Sequence, residues 1–166
     1  NDKEIKSMGH MYTLPEEFRK AEYFAPVLYK LCEMVGGRLR RKNLSGRVLG
    51  VHAHGVQGNC FSKIKRLKLE LWDGREIFLQ AMEIFESFKA LPLACRMVGV
   101  TVGELGPMDS QQSLFGNKER NRRLVLALDK INSKYGDFTV CRVAALKAGK
   151  VFRDSIGFGR IREMGK

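Results

Sequence analysis

Four cations stand within six residues at Lys63, Lys65, Arg66 and Lys68, directly after the hydroxyl of Ser62. Ammonium and guanidinium groups beside a hydroxyl are the donor set that tracks phosphate oxygens, because each phosphate they neutralise releases condensed counterions. Lys6, Ser7 and His10 form a second such set near the N-terminus. A plainer reading competes with this one: lysines on an edge strand can serve only to keep that edge from pairing with another chain. Other chemistries are poorly represented. Metal-assisted catalysis needs convergent carboxylates, and the acids here fall on predicted helix surfaces, as at Glu22, Glu33, Glu76, Glu83 and Glu86. His52 and His54 share one strand face at i, i+2, yet no third ligand stands at a metal-binding spacing. Gly55, Gly58, Gly157 and Gly159 lack the following helix that a phosphate loop requires and read as turns. No serine or cysteine carries the elbow or the spaced His–acid partner of a nucleophile.

Composition points the same way as the cation clusters. Thirty Lys and Arg face eighteen Asp and Glu in 166 residues, a net charge of +12. Such a surplus favours a polyanion, and nucleic acid before an anionic membrane, which would call for an amphipathic or juxtamembrane basic segment. A hydrophobic fraction of 44% and a charged fraction of 29% exclude global disorder. The length suits one domain with an appendage. Cys32, Cys60, Cys95 and Cys141 are scattered without a CxxC pair and read as reduced thiols of a cytoplasmic protein. No apolar run approaches the roughly 18–20 residues of a membrane span. Asn1-Asp2-Lys3-Glu4 is not a signal peptide, and the missing initiator Met fits an excised fragment, processing or incomplete numbering alike.

The elements that carry the donors follow from periodicity. Residues 4–13 alternate loosely and end at Pro15, a first strand. Phe24, Val27, Leu28, Leu31, Val35 and Leu39 trace one face of a helix over 23–42, with Pro26 in its first turn. Its end, Arg38, Arg40, Arg41 and Lys42, suits the negative pole of the helix dipole. Strands follow at 47–54 and 60–71, then a helix capped by Asp73, then a strand at 94–104. The order β-α-β-β-α-β over residues 4–105 predicts an α+β fold, a four-stranded sheet with two helices on one face and the other face open to a partner. We therefore expect a DNA-binding domain at 1–105, a linker at 106–117 and a small helix-strand tail at 118–166. In the tail, a helix capped by Asn117 would bury Leu124, Leu128, Ile131 and Tyr135 on one face and stop at Gly136, before a strand at 138–146. The strands lack the paired aromatics of an RNA-recognition motif, so backbone contact with a duplex is favoured over stacking on unpaired bases.

Several short stretches carry a family resemblance. Lys6-Ser7-Met8-Gly9-His10 with Thr13-Leu14-Pro15 resembles the strand that opens the little-finger domain of Y-family DNA polymerases. Phe61-Ser62-Lys63, Gln111-Gln112-Ser113-Leu114-Phe115, Ile131-Asn132, Tyr135-Gly136 and Ile156-Gly157-Phe158-Gly159 follow in the same order. Together they resemble the C-terminal region of the ImpB/MucB/SamB and DNA polymerase IV group. The resemblance implies a little finger that grips the template-primer duplex in the major groove, mainly through phosphates, within a translesion polymerase of DNA repair. It makes Lys6, Ser7, His10, Ser62, Lys63, Lys65 and Arg66 the expected DNA contacts. It also implies that nucleotidyl transfer and its Mg2+ belong to a catalytic region outside these residues, so that this portion holds no cofactor, performs no chemistry and is monomeric.

Gln111 to Phe115 further resembles the pentapeptide that binds the bacterial sliding clamp, with Gln112 departing from the usual leucine. On that resemblance Leu114 and Phe115 would fill an apolar pocket while Gln111 and Ser113 complete the motif. The competing reading has Leu114 and Phe115 pin the tail to the domain. Two other functions remain open from sequence: a stand-alone nucleic-acid module, for RNA included, and a non-catalytic adapter for protein partners.

Overall fold

The computed structural model describes residues 5–88, 94–108, 116–146, 148 and 151. In chain order the elements are β1 (Ser7–Thr13), α1 (Ala21–Arg41), β2 (Leu44–Gly55), β3 (Cys60–Leu71), α2 (Gly74–Glu86), β4 (Cys95–Pro107), α3 (Gly116–Tyr135) and α4 (Val143–Leu146). The first six reproduce the predicted β-α-β-β-α-β order. The strands form one sheet in the order β1-β4-β2-β3, every pair antiparallel, so β1 and β3 are its edges.

Alternation divides the sheet into two unlike faces. Met8, Leu49, Val51, Ala53, Val98, Val100 and Val102 point inward and are buried under the helices. Phe24, Val27, Leu28, Leu31, Val35 and Leu39 of α1 and Ile77, Ala81, Ile84 and Phe85 of α2 meet them. Phe24 and Phe85 pack edge to face with centroids 4.9 Å apart at the junction of the two helices. Burying each such side chain contributes about 1.5–3 kcal/mol, which makes this layer the source of the domain's cohesion.

Local signals account for most boundaries. The Asp73 carboxylate accepts from the Arg75 backbone N–H at 3.3 Å and caps α2 as the sequence predicts. Gly136, at φ +112°, ends α3 where a side chain would be strained. Several boundaries move, β2 beginning at Leu44 rather than at residue 47 among them. α1 begins at Ala21, so Pro26 lies past the first turn and removes a backbone donor inside the helix. β4 continues to Pro107, because Gly106 and Pro107 still pair with Ser45 and Leu44.

Beyond the sheet the chain returns over the outer side of α1, away from the strands. The predicted strand at 138–146 is absent: a turn follows Gly136 and α4 takes up Val143–Leu146. In that turn the Asn132 side chain receives the Val140 N–H and donates to the Val140 carbonyl, both at 2.9 Å, a closed pair that replaces a ladder. α3 begins at Gly116, which places Asn117 inside the helix rather than at its cap. The apolar stripe expected to be buried is turned outward too, with Leu124, Ile131 and Tyr135 exposed. Val125 is buried instead, flanked by polar partners described below. Ala145, Ala148 and Val151 are also buried, and the Tyr12 hydroxyl donates to the Val151 carbonyl at 3.0 Å.

Candidate nucleic-acid interface

Strand parity decides which of the predicted donors share a surface. Ser7 on β1 stands opposite Gly103, Gly103 opposite Val48, and Val48 opposite Arg66 on β3, all on the open face. The next row holds Gly9, Thr101, Gly50 and Ile64, and the row after it Met11, Gly99, His52 and Ser62. On the two central strands Gly50, Gly99 and Gly103 thus alternate with Val48, Thr101 and His52, which leaves half of those positions without side chains. A Cβ on Gly50 would meet nothing closer than 3.7 Å, so its bareness is not forced by crowding.

Lys63 and Lys65 do not join this surface. They have the parity of Phe61 and Leu67 and turn toward α2, where Lys65 Nζ lies 2.7 Å from Glu83 and Lys63 donates to the Ser87 hydroxyl at 3.1 Å. Lys63 also lies 5.8 Å from the centre of the Phe88 ring. The run of four cations is therefore split by the pleat, and Ser62 and Arg66 remain on the open side. Arg66 pairs with Glu104 at 2.9 Å, yet its side chain is 72% exposed, which leaves the guanidinium accessible to a phosphate. Lys68 is exposed beside it on the same edge strand.

His10 is likewise separated from Ser7. It lies on the helix-covered face, half-buried, and burial together with the neighbouring Arg38 charge pushes its imidazole below the usual histidine value. Both influences favour its neutral form. In place of His10 the fold brings Arg38, Arg41 and Lys42 from the end of α1 beside Ser7, around a shallow recess that also includes Ile5 and Met8. Arg38 donates to the Gly9 carbonyl at 3.0 Å, while Arg41 is 3.8 Å from Asp137 and largely exposed. The helix dipole accounts for these cations in the sequence; only the packing of α1 along β1 makes them neighbours of Ser7.

His52 lies across Gly99 on the open face, and its Nε2 is a buried polar atom without a partner among the described residues. Burial first and the nearby His54 second hold its imidazole below the ordinary histidine value. The Nδ1 of His54 lies 3.1 Å from Cys60 Sγ. Among the described residues no group of three His, Cys, Asp or Glu could hold a metal ion, and no helix is long and apolar enough to cross a membrane.

Other cations are committed internally, on the far side of the molecule. Arg40 of α1 grips Asp129 of α3 with both ends of its guanidinium, at 2.6 and 2.9 Å, and donates to the Trp72 carbonyl at 3.0 Å. Arg142, from the link between α3 and α4, donates to Glu33 at 2.9 Å, to Asp73 at 3.1 Å and to Asn121 at 3.2 Å. Asn121 returns a bond to the other oxygen of Asp73 at 2.9 Å. Asp73 is fully buried, and although burial alone would raise its carboxyl, the bonds from Asn121, Arg142 and Arg75 hold it below the usual range. Gly36 and Gly74 make this cluster possible: a Cβ on either would come within 2.6 Å of the other helix's backbone, so α1 and α2 meet closely enough to set Glu33 beside Asp73.

The clamp-like residues Gln111, Ser113, Leu114 and Phe115 lie outside the described residues.

Comparison with known proteins supplies the relatives of this arrangement. The family model described as the impB/mucB/samB family C-terminal domain matches residues 5–114. The chain is 27% identical over 154 residues to the DNA polymerase IV of Pelotomaculum thermopropionicum, covering 92% of this chain and 38% of that one. It is 32% identical over 145 residues to DNA polymerase IV 2 of Halalkalibacterium halodurans, covering 84% and 35%. The chain thus spans little more than a third of the length of these curated relatives. Among solved structures, it is similar to the little-finger chain in a complex of the beta-clamp processivity factor and the little finger domain of PolIV, with 16% identity and a TM-score of 0.47 over 66% of this chain and 98% of that one.

Proposed function

From the premise that this chain belongs to the impB/mucB/samB family through its C-terminal domain, we propose that it is the duplex-gripping part of a cytoplasmic translesion DNA polymerase. The observation that carries this reading is the layout of the open face: Ser7 beside Arg41 and Lys42 at one edge, Ser62, Arg66 and Lys68 at the other, and Gly50, Gly99 and Gly103 among the positions between them. Three strand spacings set the edges about 14 Å apart, close to the width of a B-DNA major groove, about 12 Å. Lys6, Ser7, Arg41 and Lys42 would meet the phosphates of one groove lip, and Ser62, Arg66 and Lys68 those of the other. The glycines of the centre let the sheet backbone approach the groove, with Thr101 and His52 the polar side chains there. Lys63 and Lys65 support α2 instead.

The test is a salt titration of duplex binding by fluorescence anisotropy. Five cations at the edges predict a log-log slope of about −4 to −5. Replacing Arg66 and Lys68 by Gln should flatten it by about two, whereas replacing Lys63 and Lys65 should leave it unchanged. A slope indifferent to the first pair and sensitive to the second would refute this layout.

The nucleotidyl-transfer centre with its Mg2+ would belong to the remainder of the polymerase. Tethering to a bacterial sliding clamp through Gln111, Ser113, Leu114 and Phe115 completes the reading and rests on their sequence alone. If Leu114→Ala with Phe115→Ala leaves clamp affinity intact in the folded chain, the tether is wrong.

A further inference from the structure

At one end of the open face, Ser45, Arg47, Arg66, Glu70 and Glu104 line a polar recess in which two acids meet two arginines. The acids are held differently. Glu70 lies 2.7 Å from Arg47, accepts from the Ser45 hydroxyl at 3.0 Å and is the less exposed of the two. Glu104 is half-exposed, and its ion-pair partner among the described residues is Arg66, at 2.9 Å. Ordinary alternation does not bring Glu104 there. Val98, Val100 and Val102 are buried under the helices, and a regular strand would carry position 104 to the same covered side. Glu104 instead has a φ of 49°, in the left-handed region that favours glycine, although glycine occupies the position before it and not this one. The pairing of β2 with β3 shifts register at the same level, between Gly46 and Val48, and irregular pairing of this kind re-aims side chains. Here it turns a carboxylate, on a strained backbone, onto an arginine of the edge that would meet phosphate.

We propose that Glu104 limits the hold of the sheet face on duplex DNA by competing with phosphate for Arg66. The inference rests on the sheet-face reading above and names the residue that sets its strength. In the free chain the carboxylate neutralises Arg66. The pair is exposed on both sides, Arg66 at 72% and Glu104 at 48%, so it adds little to the fold and its guanidinium can exchange one anion for another. When a phosphate takes the guanidinium, Glu104 is left facing a second anion. Repulsion between two such charges about 6 Å apart, in the screened surroundings of a surface, corresponds to about a tenfold loss of affinity at low salt. Glu70 has no such effect, because Arg47 and Ser45 hold it and neither is a predicted phosphate contact. If Glu104 served only to orient Arg66 toward the groove, its removal would weaken binding, so the two roles predict opposite signs.

The experiment measures the affinity of the 166-residue chain for a labelled duplex by fluorescence anisotropy across a salt series. Glu104→Gln should tighten binding about tenfold at low salt and steepen the log-log slope by about one, because Arg66 then neutralises a phosphate with no carboxylate beside it. In an Arg66→Gln background the same substitution should change affinity by less than about twofold, the signature of a coupled pair. Glu104→Gly should tighten binding as Glu104→Gln does and also raise the denaturant midpoint, since glycine adopts the left-handed region freely. Unchanged or weaker binding in Glu104→Gln overturns the proposal. So does equal tightening with and without Arg66, which would make the effect one of overall charge. The sheet-face reading is judged by a separate arm. If Arg66→Gln with Lys68→Gln weakens duplex binding and Glu104→Gln does not strengthen it, that reading stands and this inference fails; if Arg66→Gln with Lys68→Gln changes nothing, the sheet-face reading fails and this inference falls with it.

Discussion

The two outer sides of this protein use charge in opposite ways. Over α1 and α2, arginine is buried or half-buried and spent on holding the chain's own tail: Arg40 is 5% exposed against Asp129, and Arg142 bridges Glu33 to the fully buried Asp73. On the open sheet face, Arg66 and Lys68 stand exposed at one edge, and Gly50, Gly99 and Gly103 alternate with Val48, Thr101 and His52 across the centre. A net charge of +12 does not distinguish these uses. A buried guanidinium already meets its carboxylates in a fixed geometry and has nothing to offer a phosphate, while an exposed one gains little from its internal partner and can exchange it.

The largest effect should come from breaking the covered side. Arg142→Met leaves Glu33 and buried Asp73 facing each other without their cation, and should cost about 3 kcal/mol, read as a lower denaturant midpoint at unchanged m-value. A midpoint equal to that of the parent chain would mean that the tail is merely laid on the helices. Next in size is Gly36→Ala. Alanine favours a helix by about 1 kcal/mol over glycine, yet here its methyl would strike the Gly74 backbone, so we expect a net loss of about 1–3 kcal/mol in the same measurement. A gain would show that the close approach of α1 and α2 is not what seats Glu33 beside Asp73.

The smallest effect concerns acid. His10 and His52 both have imidazoles below the usual value, so the unfolded chain binds protons more readily than the folded one as pH falls through the mid-sixes. Stability is fully present above the unfolded histidine value and declines as pH falls from there toward the folded values. Asp73 acts in the same direction at lower pH, its depressed carboxyl contributing above the ordinary carboxylate range and losing that contribution as pH falls through its folded value. Stability measured between pH 7 and 5 should therefore drop less in His10→Gln and His52→Gln than in the parent chain. Equal slopes in all three would place both imidazoles in contact with water.

Much of this was legible one element at a time. The apolar spacing from Phe24 to Leu39, the Asp73 cap and the Gly136 stop depend on neighbours within a turn or two, and each held in the structure. The donors at Ser7, Ser62 and Arg66 were also visible, because alternation along a strand is a local property. The partners of Arg142 were not. They lie 69 and 109 residues away, and nothing near Arg142 marks it as an internal clip. The same holds for α3, whose Leu124, Ile131 and Tyr135 advertise a buried face, although Arg40 and Asp73 reward the polar side instead.

By itself, then, the sequence determined the period of each segment, the order of strands and helices, and a surplus of cations among which a polyanion could be gripped. Only the tertiary structure decided which half of each period is covered. A strand's pleat sends Lys63 and Lys65 one way and Ser62 and Arg66 the other, but which way is open depends on where α2 comes to rest. Periodicity is a property of the bond angles of the chain, whereas burial is a property of what else arrives, and that is written in residues far apart.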